Sequence, residues 1–377
     1  MSGLILIDAE SSALNMFGTD ETVADRNKMV VKKLKRGKNS YVYVSAQSWR
    51  YWWRQTLENQ FKWNTSPLKK VESKNQVYTN ANPLKYEDDD VFGYMRASEG
   101  LTVTRASPLK NTPLISVLPL KNSVTNDAAS ASRHEGNPVR YDSEFYSTVL
   151  KGAFSLDLNS VGKFLFKDKA GFKNLINIDK LAEEIEKSKI AKKKKEDKLK
   201  KLEKLKEDIL WQEDYLDVAK EICVEPLENE WLIHNKIRSK RAKETIESLR
   251  YLSGGAKQTL FLTDVTPKFI LLAMFKGGLN PFISDLIQED KGDVKFNADV
   301  LINRITDFKE VINPKKIFIG KDKGFMEEIE PQIVEIKSRF KNDENNGDEK
   351  IEVVSGSVAE VIEEFLKDID NYYDVKT

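Results

Sequence analysis

The stretch "AQSWRYWWRQTLENQ" (residues 46–60) constrains the fold more than any other part of the chain. Trp49, Trp52, Trp53 and Leu57 recur at i, i+3, i+4 and i+8, which places them on one face of an α-helix, with Ser45 as its N-cap. Three indoles on one stripe need a broad apolar surface to cover them, so they read as core before they read as a base-stacking platform. Strand-like segments supply that surface: "GLILIDAE" (residues 3–10), "KNSYVYVS" (38–45), "SEFYSTVLKGAFSLDLNSVGKFLF" (143–166) and "FILLAMF" (269–275). The last two are separated by a second helix, "NKIRSKRAKETIESLRYL" (235–252).

The resulting order is strand, helix, strands, long strand, helix, strand. This predicts an α+β chain built on a split β-α-β module of the ferredoxin or RNA-recognition (RRM) type, swollen by insertions. The palm is expected over residues 1–340 and is discontinuous. Residues 62–85 lack periodicity and read as a finger-like excursion. Residues 101–139 combine a proline-bearing hairpin (Pro108, Pro113, Pro119) with a small polar loop. Residues 178–212 read as a charged helical insertion, either a hairpin or one long solvated helix. Residues 341–377 read as an acidic loop and a helix packed on the palm.

Charge is balanced overall, with 61 basic and 60 acidic side chains, but it is segregated. Residues 1–170 carry 24 basic and 18 acidic groups, whereas residues 261–377 carry 16 and 24. That pattern suits a polyanion-binding face with an acidic opposite pole, and equally suits simple solubility. A single cysteine, Cys223, excludes a disulfide framework and multi-cysteine metal sites, and it fits a reducing compartment. The N-terminal residues read as lacking a signal peptide, and no apolar run approaches the roughly 20 residues of a membrane span. A cytoplasmic protein with no membrane partner is expected.

Several groups are candidates for chemistry. Ser45 and Gln47 lie near the positive N-terminal end of the tryptophan helix, with Ser48 one residue on, and Arg50 and Arg54 form an adjoining i, i+4 row. Arg26, Lys28, Lys35 and Arg36 belong to a basic run that could track a phosphate chain or merely be solvated. "SGGAKQT" (253–259) is not a nucleotide-binding P-loop, yet Gly254 and Gly255 would let backbone amides approach a phosphate beside Lys257 and Gln258. The same glycines could instead form a helix-ending turn. Arg105 and Lys110 flank Pro108 on the expected hairpin. Asp88 to Asp90 could hold Mg²⁺, but read better as a solvated corner or a contact to a neighbouring subunit. His134 could serve as a general acid–base, although a lone loop histidine seldom does.

The strings "VSAQSWRYWWRQTLE" (44–58), "DDDVFGYM" (88–95) and "TRASPLKNTPLISV" (104–117) carry a family resemblance. So do the opening strand with Asn15, "YSTVLKGAFSLDL" (146–158) and "GGAKQT" (254–259). The chain resembles the backbone subunit of the type I-B CRISPR surveillance complex Cascade, the Cas-seven, DevR-type branch of the RAMP superfamily. The resemblance implies an RRM-like palm with a finger-like insertion and a thumb-like hairpin, and a non-catalytic protein that needs no cofactor and no metal. It implies as partners CRISPR RNA, target DNA through the guide heteroduplex, and further copies of the chain. The large, small, repeat-handle-binding and RNA-processing Cascade subunits complete the set. Base pairing would read sequence, so the protein would hold phosphate and shape. The alternatives are a RAMP-type endoribonuclease acting through His134 or Asp88–Asp90, and a DevR-type regulator of gene expression.

Overall fold

The computed structural model describes residues 1–19, 28–71, 76–98, 101–120, 124–130, 140–165, 169–175, 178–208, 221–227, 230–341 and 350–375. They form two compact units: residues 1–60, 110–156 and 245–368 in the first, and residues 61–109, 157–244 and 369–377 in the second.

The first unit is built on one sheet. Its principal elements are β1 (Ser2–Ser12), β2 (Lys33–Arg36), β3 (Asn39–Val44), α1 (Ala46–Phe61), β4 (Leu114–Ser116), β5 (Arg140–Leu156), β6 (Phe269–Phe275), α3 (Ala298–Phe308), β7 (Ile312–Lys321), α4 (Glu330–Lys341), β8 (Glu352–Gly356) and α5 (Val358–Tyr372), whose last turn falls in the second unit; the helix α2 (Asn235–Glu247) belongs almost wholly to the second unit. The strand order is β8-β7-β6-β1-β5-β4-β3-β2. Within it, β6-β1-β5-β4 are antiparallel neighbours in the ferredoxin-like order, and along the chain α1 comes between β1 and β4 and α2 between β5 and β6. The expected palm is therefore present. The β2–β3 hairpin widens one edge, and β7 with the parallel strand β8 widens the other.

The tryptophan stripe is core. Trp49 and Trp53 stack at 5.2 Å, and Trp53 meets the edge of Phe154 on β5 at 5.3 Å. Their polar edges are satisfied: Trp49 Nε1 donates to Thr112 O, and Trp53 Nε1 donates to Thr245 O and Ser248 Oγ. An indole buried this way stabilises the fold by about 3–5 kcal/mol relative to alanine. The opposite sheet face is covered by a second layer. Leu4, Leu6, Phe269, Leu271, Ile317 and Ile319 pack against Leu301, Ile302 and Ile305 of α3 and against Ile333, Ile336 and Phe340 of α4. The C-terminal residues contribute more than a helix: β8 extends the sheet, and α5 packs through Phe365 on Phe318 at 5.1 Å.

The second unit holds the smaller elements. Lys69–Val71 pairs with Gln76–Tyr78 within the expected finger, and Tyr94–Ser98 pairs with Leu101–Arg105. The charged insertion is a helical hairpin, Ile178–Lys187 and Lys192–Asp208, and residues 209–212 lie outside the described residues. The segment 101–139 is not one hairpin. Leu101–Arg105 belongs to the second unit, Leu114–Ser116 is a palm strand, and Val124–Ser130 pairs with the outer half of β5. The prolines separate these pieces, since proline donates no ladder hydrogen bond.

Candidate nucleic-acid interface

The candidate site lies where α1 begins. Ser45 Oγ accepts from Ser48 N at 3.2 Å and sits 2.7 Å from Ser48 Oγ, so it caps the helix as the sequence predicts. Asn15 is held against this cap, with Nδ2 donating to Tyr43 O at 2.9 Å and Oδ1 3.5 Å from Ser48 Oγ. The glycine turn closes the other side. Ala256 N donates to Leu14 O at 3.0 Å. At Gly254 the backbone has φ +152°, and a Cβ would stand 2.3 Å from the Trp52 ring. Glycine is thus required for close approach to the indole, beyond any role at a phosphate. Gly255, at φ +105°, is pressed in the same way onto Leu14.

Between these parts lies an open groove of about 460 Å³, lined by Asn15, Met16, Gln47, Ser48, Tyr51 and Ala256 among others. It joins a helix N-terminus, polar side chains and an exposed aromatic, Tyr51, at 58% exposure. Tyr51, Met16 and Ala256 were not singled out from sequence. Tyr51 follows Gln47 by four residues and Ser48 by three, so helical spacing alone would have found it.

Arg50 and Arg54 occupy the next turns. Arg50 Nη1 donates to Asn111 Oδ1 at 2.8 Å, and Asn111 Nδ2 donates to Ala46 O at 3.1 Å. Burial, and then the charge of Arg54, pulls Arg50 down to about 10. At that value Arg50 stays cationic at neutral pH. Lys110, beside Asn111, is exposed, as are Lys35 and Arg36 on β2. Lys257 Nζ donates to Ser143 Oγ at 2.6 Å, and Gln258 Nε2 donates to Gly254 O and Thr263 O, so both help to hold the turn. Arg26 and His134 lie outside the described residues, as does the side chain of Lys28.

Two expectations need correction. Arg105 is buried at 5% exposure in the second unit. Its guanidinium pairs with Asp90 and donates to the carbonyls of Asp90, Lys163 and Ser160, so it holds that unit together and is not presented to a polyanion. Asp88, Asp89 and Asp90 are likewise buried, and the solvated corner does not exist. Asp88 accepts from Ser66 N, Asp89 from Asn82 N, and Asp90 from Arg105, Arg241 and Gly162 N. Desolvation, and then the neighbouring Asp88, raises Asp89 to about 6. Among the described residues no group of three or more His, Cys, Asp or Glu side chains is disposed to hold a metal. Nor, among them, is any helix long and apolar enough to cross a membrane.

The architecture has a counterpart among solved structures. A chain of a "CRISPR RNA-guided surveillance complex, pre-nicking" is similar over 98% of this chain and 99% of that one, at TM-score 0.50 and 9% identity. A chain of a second "CRISPR RNA-guided surveillance complex" covers the same shares at TM-score 0.43 and 11% identity. The first likeness shows a shared fold. No curated protein sequence matches significantly. Residues 5–293 match the family described as "CRISPR-associated negative auto-regulator DevR/Csa2", and the chain belongs to that family.

Proposed function

We propose that the chain is a non-catalytic backbone subunit of a type I-B Cascade complex, binding CRISPR RNA and oligomerising along its spacer in the cytoplasm. In this reading it presents the guide bases for pairing with target DNA and contacts further copies of itself and the other Cascade subunits. The observation that carries the reading is the α1 groove. Its cap, with Gln47 and Ser48 in the groove and the Arg50/Arg54 row on the next turns, is suited to phosphate contacts, which position a strand without reading its sequence and so leave Watson–Crick faces available. Family membership and the surveillance-complex fold support the same role.

The test is expression alone and with a repeat-spacer RNA, followed by size exclusion. RNA-bearing, multi-subunit fractions are expected; fractions without RNA, and no RNA-dependent assembly, refute the proposal. Replacing Arg50 and Arg54 together by alanine is expected to lower the slope of log affinity against log salt by roughly 1.4, at about 0.7 per phosphate contact of a single strand. An unchanged slope removes this helix edge from the site. Labelled RNA incubated with Mg²⁺ is expected to stay intact, because Asp88 to Asp90 are engaged with backbone amides and guanidinium groups; specific cleavage favours the endoribonuclease reading. A regulatory role is read as a consequence of complex formation.

A further inference from the structure

The first unit's sheet is covered unevenly on the face away from α1. The α3–α4 layer reaches Val149 on β5 and Val117 just past β4. Its seam is Lys151, whose Nζ donates to Ile287 O at 2.9 Å. Beyond the seam lie β4, β3 and β2. Val42, Val44 and Leu114 of these strands are fully buried on the α1 side. Their alternates, Tyr41, Tyr43 and Ile115, turn to the other face and are only half-buried. The register sets Ile115 opposite both Lys151 and Tyr43, Tyr41 opposite Leu34, and Asn39 opposite Arg36. One accessible corner of the sheet therefore carries Tyr41, Tyr43, Ile115, Leu34, Arg36 and Lys151.

Its chemistry is specific. The Arg36 guanidinium lies 5.7 Å from the centre of the Tyr41 ring. Burial first, and then the charge of Arg36, lowers the Lys151 ammonium, while Asp285 counteracts this. Strands β2, β3 and β4 contain no Asp or Glu. Two tyrosines at i and i+2 on one strand stand about 7 Å apart, far enough for each to take one base. Protein interfaces concentrate apolar area and deplete charge at their core, whereas aromatic faces interleaved with cations are the pattern that holds single-stranded nucleic acid.

We infer that this sheet corner is a second single-strand nucleic-acid site, on the face opposite the α1 groove, with bases stacked on Tyr41 and Tyr43 and the phosphate chain along Arg36. The assignment goes beyond the proposed function and does not depend on it, since the groove and the corner share no residue.

The test uses the full chain with a fluorescein-labelled oligothymidylate. Ultraviolet crosslinking followed by peptide mass analysis is expected to place nucleotide adducts on Tyr41 or Tyr43. Tyr41→Ala and Tyr43→Ala are each expected to weaken binding at least fivefold, taking stacking as about 1 kcal/mol or more per base. Gln47→Ala with Ser48→Ala, which probes the groove, is expected to leave these adducts in place. Adducts confined to other residues, or unchanged affinity in the tyrosine variants, overturn the inference. So does loss of self-association in those variants with oligonucleotide binding intact, which makes the corner a protein contact. Crosslinking of the unaltered chain decides the matter even where a variant fails to fold.

Discussion

Replacing Asp90 by alanine tests the account of the second unit most sharply. The Asp90 side chain is fully buried. One oxygen pairs with Arg105, the other lies 2.8 Å from Arg241 Nη1, and Gly162 N donates to both at 3.1 and 3.0 Å. Deleting the carboxylate removes the anion that two guanidinium groups, 3% and 4% exposed, share. Removing one partner of a buried pair costs about 3–5 kcal/mol, and here one anion serves two cations. Part of the loss is offset. Arg105 keeps its carbonyl acceptors, and Arg241 keeps Pro83 O at 2.9 Å and Leu84 O at 3.1 Å. The expected net is about 4 kcal/mol, a large share of the roughly 5–15 kcal/mol available to a folded domain. Urea unfolding read by circular dichroism measures it, and hydrogen exchange should localise the opening to the second unit. Asp90→Leu combined with Arg105→Met and Arg241→Met removes all three charges and should recover most of the loss. A cost below about 1 kcal/mol for Asp90→Ala, or no recovery in the triple variant, refutes the reasoning.

Asp89 gives a pH signature. Its folded-state value of about 6 exceeds the ordinary 3.8, so the folded chain holds the proton more tightly. Stability therefore falls as pH rises from about 4 to 6 and stays lowered above that. Asp89→Asn should raise the melting temperature at pH 7.5 and leave it nearly unchanged at pH 4; equal shifts at both values contradict the cause assigned. Gly254→Ala should destabilise by about 1–3 kcal/mol, because its Cβ meets the Trp52 ring at 2.3 Å. An unaltered thermal midpoint would show that the turn moves without cost.

The palm was legible because its signals are local. The spacing of Trp49, Trp52 and Trp53 fixes a helix, and "LILI" and "FILLAMF" fix strands. Helix-end electrostatics pointed to Ser45, which caps the helix through Ser48, and to Gln47 and Ser48, which the structure brings to one groove with Asn15. Arg105 and Asp88–Asp90 were misplaced because charged residues are buried only when paired, and the partner that completes the Asp90 network, Arg241, lies 151 positions away. No window of sequence contains that pair. The strand β8 was missed for a related reason. "EVVSG" is five residues long, and only its parallel register with β7 makes it a strand. The prolines at 108, 113 and 119 signalled interruption correctly, but interruption alone does not say which flanking piece joins which sheet.

The uneven cover of the sheet was also written in its strands. β6 is buried at every position, and β1 is buried from Ser2 to Ile7, so both must be packed on two faces. β3 reads Tyr-Val-Tyr-Val from residue 41 and buries only its valines, so it needs one face covered. The layer formed by α3 and α4 is thus a requirement of β1 and β6 and not of β3. Leu301 on α3 is fully buried against that central patch, and Leu301→Ala should cost about 2–5 kcal/mol. Tyr43→Ser, on the same sheet face but beyond the seam, should cost markedly less, because its ring is already partly in water. Equal costs at the two positions would mean that β3 is covered after all, and the contrast between continuous and alternating strands would lose its meaning.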